Sequence, residues 1–290
     1  MGPELNTDWR TVLGIFKLRI GFLIMVTALA GLAVVPGGSA GAVQVVVVAL
    51  SVLLASAAAG AFNQFIEAGS DRLMARTCGR PFASGALPCS RGWLVAIVSL
   101  LVLAVAAAAW LVNPLSATFV MLGALTYAVV YTVGLKRRTP WNIVIGGLSG
   151  SFAVLAGAAA ADPRVGPLAW MLAAVLFLWT PPHFWSLAIA NEDDYRAAGI
   201  PMLPVVVGRA RAARIVHANA IVLVLVSLLP LLAGAGWPYG VGAMLGGAYF
   251  LRRTHALARS PDRQSAMAAF FASMVQLSVL LLGVATDATL

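Results

Sequence analysis

Long stretches without a charged side chain divide this chain. Residues 20–66 carry none, nor do 92–135, 139–161, 165–191, 215–251 and 264–286. Turn-forming residues interrupt the longer ones: Val35-Pro36-Gly37-Gly38-Ser39 in the first, Asn113-Pro114 in the second, and Gly234 to Gly240, around Trp237-Pro238, in the fifth. Asp162-Pro163-Arg164 separates the third from the fourth. A helix needs roughly 20 apolar residues to cross a hydrocarbon core of about 30 Å. Two helices from each long stretch and one from each short one therefore predict nine transmembrane spans. The eighth, 237–251, is short, and Arg252 and Arg253 are placed to complete it by reaching to the headgroups.

The composition strengthens this picture. Of 290 residues, 61% are hydrophobic and 10% charged, against about 25% charged in a soluble domain. The chain has too little polar surface to face water all round. The expected fold class is all-α, a polytopic membrane bundle of about nine helices, with residues 1–290 forming one transmembrane domain. No internal repeat or low-complexity segment stands out.

The net charge of +9 would raise nucleic acid as a partner for a soluble protein. Here excess Lys and Arg have a more ordinary meaning, because they mark cytoplasmic loops, and no nucleic-acid partner is expected. With nine spans, 18 of the 19 basic residues fall on the N-terminal side of the membrane, and Arg164 alone lies opposite. A wrong helix count would scramble that alternation, so it predicts a cytoplasmic N-terminus as well. Met1–Asp8 carries Glu4 and Asp8, and the first apolar stretch runs on too long for a removable signal. An Arg-rich, acid-poor transit segment is also missing, which favours a bacterial plasma (inner) membrane over an organelle. Cys78 and Cys89 share one polar segment with no His nearby. They make a poor zinc site and read as free thiols, or alternatively as a regulatory disulfide.

Eight of the ten acids share the basic side, and two groups of them carry candidate chemistry. At the end of the second span, Asn63, Glu67 and Asp71 are spaced by four. On a helix they fall within about 80° of arc and about 12 Å of length, as one acidic stripe at the membrane boundary. Two carboxylates and an amide oxygen suit Mg2+, a hard ion that bridges readily to substrate phosphates. Arg72, Arg76 and Arg80 add cations able to bind diphosphate oxygens. After the sixth span comes Asn191-Glu192-Asp193-Asp194-Tyr195-Arg196, whose consecutive acids repel one another unless a cation sits among them. Two such clusters on one side suggest a dimetal diphosphate site. The same residues also read as solvated loop charges near the headgroups.

The motif Asn63-x3-Glu67-x3-Asp71, followed by Arg76-Thr77 and Arg80-Pro81, resembles the first aspartate-rich motif of the UbiA superfamily of intramembrane prenyltransferases. Three further segments resemble its protohaem IX farnesyltransferase branch. They are Tyr131 to Gly147, with Lys136, Arg137, Asn142 and Gly146; then Trp179-Thr-Pro181-Pro182-His183-Phe184-Trp185; then Asp193-Asp194-Tyr195 through Gly199, Pro201 and Pro204. The similarity runs from about residue 11 to the last helix. Glu67 stands where the superfamily commonly has Asp. The stretch after Gly146-Gly147 lacks the family's proline pair, a departure that bears on the local shape of the fifth span and not on the chemistry.

The resemblance implies a bundle whose cavity opens to the cytoplasmic side and laterally to membrane lipid. It implies that Asn63, Glu67, Asp71, Asp193 and Asp194 are the catalytic residues and hold Mg2+ against farnesyl diphosphate. Arg72, Arg76, Arg80, Lys136 and Arg137 would take up charge on the leaving group, with Tyr131 and His183 among the substrate contacts. The implied reaction farnesylates a vinyl group of haem B, and haem A synthase is a further candidate partner. His183 is a candidate haem-iron ligand, and equally a hydrogen-bonded packing residue beside a helix break at Pro181-Pro182. His217 and His255 read as interfacial. Trp141, Trp179, Trp185 and Trp237 read first as interface anchors and second as walls for a prenyl chain. The rival readings are a related prenyltransferase acting on a quinone precursor or chlorin, and a haem or lipid transporter. The uncharged midplane of the spans weighs against transport, which usually places ionisable groups there.

Overall fold

The computed structural model describes residues 8–290, so Met1–Thr7, on which the signal-peptide expectation mainly rests, lie outside the described residues. Helices account for nearly all of the rest, and no strand occurs among the described residues. The first span is a pair, α1 (Trp9–Ile15) and α2 (Leu18–Ala33), bent by 47° at Phe16-Lys17. It is followed by α3 (Ala42–Asp71), the short α4 (Pro81–Ser84), α5 (Arg91–Leu111) and α6 (Pro114–Leu125), which continues as a π-helical segment over Thr126–Leu135. Next come α7 (Asn142–Gly146) with α8 (Leu148–Ala161), α9 (Pro167–Ala190), and the short α10 (Glu192–Ala197) and α11 (Leu203–Val207). The chain closes with α12 (Arg209–Val226), α13 (Leu229–Leu232), α14 (Trp237–Arg259) and α15 (Arg263–Asp287).

Seven spans are long and apolar enough to cross a membrane by composition alone, and the bent α1–α2 pair makes an eighth. The ninth expected span is α14, which is 23 residues long. Its final turns carry Arg252, Arg253 and Arg259, which lower its hydropathy below that of the others. It stands where the sequence placed its short eighth span, and it is not among the helices apolar enough to cross by composition alone. Large apolar side chains cover the outside of the bundle: Trp110 is 87% and Leu232 is 86% exposed. A continuous apolar exterior of this kind requires lipid as its solvent, and the chain is a multi-pass membrane protein.

Caps start the helices where the sequence breaks. Asn113 Oδ1 accepts from the Ser116 amide at 2.8 Å, with Pro114 in the first turn. Asp262 does the same for Ser265 at 2.7 Å. Inside the membrane apolar burial drives no association, so helices pack through small residues and polar contacts. A Cβ on Gly31 would collide with the Val154 backbone, and one on Gly157 with the Ala28 carbonyl, so α2 and α8 touch backbone to backbone. Ser116 Oγ donates to the Ala156 carbonyl and Ser151 Oγ to the Ala173 carbonyl, each at 2.8 Å. These bonds tie α6 to α8 and α8 to α9.

Two local features depart from expectation. The anticipated break at Pro181-Pro182 does not occur, and α9 runs unbroken from Pro167 to Ala190. Proline is tolerated in a membrane helix when neighbouring groups satisfy the backbone it frees. The hydroxyls of Thr180 and Ser186 also bond carbonyls of the same helix, those of Leu176 and Pro182. The second departure is the ten-residue π segment at the end of α6, which no periodicity in the sequence announces.

Candidate active site

The last turns of α3 present Asn63, Glu67 and Asp71 toward the interior, 2%, 1% and 0% exposed. This burial removes the reading in which they are solvated loop charges. Each group meets one cation. Lys17 Nζ donates to Asn63 Oδ1 at 2.7 Å, Lys136 Nζ to Glu67 Oε2 at 2.6 Å, and Arg80 Nη1 to Asp71 Oδ2 at 2.7 Å. Three cations therefore face two carboxylates and an amide in a single file.

Three different pieces of local structure deliver those cations. Lys17 comes from the α1–α2 bend. Lys136 follows the π segment, where hydrogen bonds span five residues: its own amide donates to the Tyr131 carbonyl at 2.9 Å. That wider turn points Tyr127, Tyr131, Thr132 and Lys136 at α3. Thr132 Oγ1 accepts from Asn63 Nδ2 at 3.0 Å and donates to the Tyr127 carbonyl at 2.8 Å. Asn142 Nδ2 holds the following loop by donating to the Thr139 and Lys136 carbonyls. Gly146 gives Tyr131 its seat, since a Cβ there would stand 2.9 Å from the Tyr131 ring. The segment from Tyr131 to Gly146 is thus one scaffold for Lys136. Burial pulls the Lys136 ammonium below its ordinary range, and Glu67 acts against that pull. Arg80 arrives on the 72–80 loop, which Thr77 fastens by donating from Oγ1 to the Asp71 carbonyl at 3.0 Å.

The second acidic group is split. Asp194 faces the first motif, and its Oδ2 accepts from the Arg76 amide at 3.4 Å. Arg76 Nη2 lies 3.5 Å from the Tyr195 hydroxyl. Arg137 Nη2 donates to Ser70 Oγ at 3.0 Å, at the rim of the acidic file. Asp193 does not join the cluster: its side chain is 85% exposed and pairs with Arg209. One residue apart on a helix, Asp193 and Asp194 point about 100° away from each other, so both cannot face the same site. Glu192 is the buried acid of this group, gripped by Arg196 and Arg209. Arg72 also points elsewhere, its Nε donating to the Ala83 carbonyl at 2.8 Å, where it ties α4 to the end of α3.

His183 is sandwiched between the rings of Trp179 and Phe270, with centroids at 4.2 and 4.5 Å, and its Nδ1 is 2.7 Å from Ser273 Oγ. It ties α9 to α15, which is the packing reading of this residue. Trp179 Nε1 donates to the Ser273 carbonyl, and Trp185 is buried, while Trp141 and Trp237 are exposed. Only the last two fit interface anchoring. His217 Nδ1 meets Thr254 Oγ1 at 3.0 Å. Cys78 and Cys89 are free and exposed.

No group of three or more His, Cys, Asp or Glu poised for a metal occurs among the described residues. The stripe offers two carboxylates and an amide, with cations filling part of their coordination. Asp71 Oδ1, however, is buried without any hydrogen-bond partner. An orphaned carboxylate oxygen beside Glu67 and Asn63, all of them oxygen donors, fits a hard divalent cation. With Arg76 and Arg137 at the rim, positive charge exceeds negative, so the site as a whole suits a polyanion. Sequence reasoning missed Lys17, Tyr127 and Thr132 as members of this neighbourhood. For Lys17 the sequence offers only that it interrupts, together with Arg19, the apolar run from Val12 to Ile20.

Comparison with known proteins agrees with this geometry. Residues 24–277 match the model of the UbiA prenyltransferase family. The chain is 52% identical over 283 residues to "Protoheme IX farnesyltransferase 2" of Paramagnetospirillum magneticum, covering 98% of both chains. It is 39% identical to a Protoheme IX farnesyltransferase of Thermus thermophilus, covering 97% of this chain and 46% of that longer one. Among solved structures it shares the fold of a digeranylgeranylglyceryl phosphate synthase, with TM-score 0.79 at 17% identity over 97% and 98% of the two chains. It also shares the fold of a UbiA homologue from Archaeoglobus fulgidus bound to DMAPP and Mg2+, with TM-score 0.73 at 17% identity over 92% and 99%. A family match over most of the chain, full-length relatives of high identity and a common fold converge: the chain belongs to the UbiA prenyltransferase family, in its protohaem IX farnesyltransferase branch.

Proposed function

We propose that this protein transfers the farnesyl group of farnesyl diphosphate to the vinyl group of protohaem IX (haem B), giving haem O and diphosphate. The supporting observation is the buried file of Asn63, Glu67 and Asp71 faced by Lys17, Lys136 and Arg80, in a chain 52% identical over nearly its whole length to a protein of that name.

Asn63, Glu67, Asp71 and Asp194 are the residues that would hold Mg2+. When bound, that ion supplies positive charge between the carboxylates and the diphosphate. Lys136, Arg80, Arg76 and Arg137 stabilise charge developing on the leaving diphosphate as the allylic C–O bond breaks. Lys136 and Arg80 now neutralise Glu67 and Asp71, so exchange of carboxylate for diphosphate costs them little reorganisation. The apolar walls between the helices keep water from quenching the allylic cation before the vinyl group attacks. A water molecule then captures the porphyrin-side cation and loses a proton, leaving a hydroxyethylfarnesyl substituent. The protein contributes positioning and electrostatics and makes no covalent bond to either substrate.

Residues 1–290 act as one prenyltransferase domain in a bacterial inner membrane, with the N-terminus and the acidic file on the cytoplasmic side, where farnesyl diphosphate is dissolved. The 18-to-1 distribution of basic residues supports this orientation. Mass spectrometry of haem from membranes with and without the protein, supplied with defined prenyl diphosphates and Mg2+, tests the reaction. A farnesylated haem that depends on the protein is expected. Prenylation of a quinone precursor with haem left unchanged would replace the acceptor.

A further inference from the structure

We infer that Lys17 is a ligand of the donor's diphosphate, delivered to the site by the bend in the first span. This rests on the proposed function and adds to it a residue from outside both acidic motifs. Lys136 and Arg80 each have a carboxylate partner, whereas among the described residues Lys17 has none within salt-bridge distance. Its ammonium bonds only neutral groups, Asn63 Oδ1 at 2.7 Å and the Tyr127 hydroxyl at 3.4 Å, and lies 5.9 Å from the centre of the Tyr127 ring. A cation partly buried among apolar helices without a counter-charge is destabilising unless an anion arrives.

The backbone is arranged to hold it there. Lys17 has φ of +47°, in the left-handed region that a residue with a Cβ seldom occupies. That conformation ends α1 and turns the side chain inward, and it persists only where the surroundings over-determine it. They do so here. Gln64 Nε2 donates to the Gly14 and Ile15 carbonyls, both at 3.0 Å, and clamps the bend onto α3. Gly60 lies against the lysine stem, with its Cβ position 3.4 Å from Lys17 Cδ, at ordinary contact distance. Gly60, Asn63 and Gln64 lie on adjacent turns of α3, so the helix that carries the acidic file also grips the lysine. The side chain is only partly buried, at the end of the acidic file where the donor's diphosphate is proposed to bind. When the donor binds, the ammonium turns from Asn63 to a diphosphate oxygen and frees the Asn63 amide oxygen.

The left-handed backbone provides a variant that does not endanger the fold, because Lys17→Gly removes the charge and relieves the strained φ together. Lys17→Met keeps the stem and removes the charge. In purified, lipid-reconstituted enzyme with Mg2+, three quantities should be measured: KM for farnesyl diphosphate, competitive inhibition by inorganic diphosphate, and haem affinity. In both variants the KM and the inhibition constant should rise together by roughly 10- to 100-fold, the size of one lost charge-assisted hydrogen bond. Haem affinity should stay within about twofold, and Lys17→Arg should recover part of the loss. Inhibition by inorganic diphosphate equal to wild type in Lys17→Gly and Lys17→Met overturns the assignment, as does a raised KM with no change in that inhibition. If the wild-type enzyme fails to use farnesyl diphosphate at all, the proposed function falls instead. Direct calorimetric binding of inorganic diphosphate, which requires no turnover, then still decides the role of Lys17.

Discussion

Replacing Lys136 by Met should unfold the protein more readily than removing both Lys136 and its partner. Lys136 Nζ is 2.6 Å from Glu67 Oε2, and the two side chains are only 10% and 2% exposed. Deleting one member of a buried ion pair strands the other charge and costs about 3–5 kcal/mol, while replacing both with neutral groups of similar shape is nearly neutral. At about 2–4 °C per kcal/mol for a chain of this size, Lys136→Met should lower Tm by about 6–20 °C. The double variant Lys136→Met/Glu67→Gln should return to within a few degrees of wild type, and neither variant should retain activity. Thermal unfolding in detergent, followed by tryptophan fluorescence, reads all three proteins. Mg2+ should raise Tm more in Lys136→Met than in wild type, because the stranded Glu67 carboxylate then has a cation to take. The reasoning fails if Lys136→Met is as stable as wild type, or if the double variant is no more stable than the single one.

Asp71→Asn keeps the packing around a residue with no exposed surface but breaks its ion pair with Arg80; it should reduce kcat by at least about 100-fold and lower Tm, and retention of full turnover would remove Asp71 from the chemistry. Gly146→Ala places a Cβ 2.9 Å from the Tyr131 ring and should cost about 1–3 kcal/mol, together with a loss of activity readable as a rise in KM for the prenyl donor. His183→Ala removes a ring stacked on both Trp179 and Phe270 and should lower Tm while leaving the haem absorption spectrum of the loaded protein unchanged; a shifted spectrum would restore His183 as a haem contact. A reporter active only in the cytoplasm should be silent when fused at residue 290 and active when inserted at residue 80, and the reverse pattern would invert the orientation.

The membrane architecture was legible because charge-free runs and the side-to-side alternation of Lys and Arg are one-dimensional signals. The acidic stripe was legible because a spacing of four is the repeat of a helix face. Partnership was not legible. Lys17 is 46 residues from Asn63 and Lys136 is 69 from Glu67, and nothing local in the chain announces which cation meets which acid. The burial of Asp71 was missed for the same reason. Placed by the sequence at the membrane boundary, it proves fully enclosed by its own loop and by Arg80, so alanine there would harm both activity and fold. In Glu192-Asp193-Asp194 the sequence shows three equal acids, and only helix phase and the reach of Arg196 and Arg209 separate the buried, the exposed and the inward-facing one. The proline pair in α9 misled because proline breaks a helix in water more often than it does in lipid.

The π segment at Thr126–Leu135 has an evolutionary consequence. Its hydrogen bonds are poorer than those of an α-helix, and excising one residue from it would let α6 run on with ordinary spacing and a more favourable ladder. That deletion would also rotate everything beyond it by about 100° and carry Lys136 away from Glu67 while Thr132 or Tyr127 stayed in place. The stretch is thus a place where gaining stability and keeping the reaction are opposed. Random single-codon deletions selected only for thermal resistance should accumulate between residues 126 and 135, and the same library selected for prenyl transfer should contain none there.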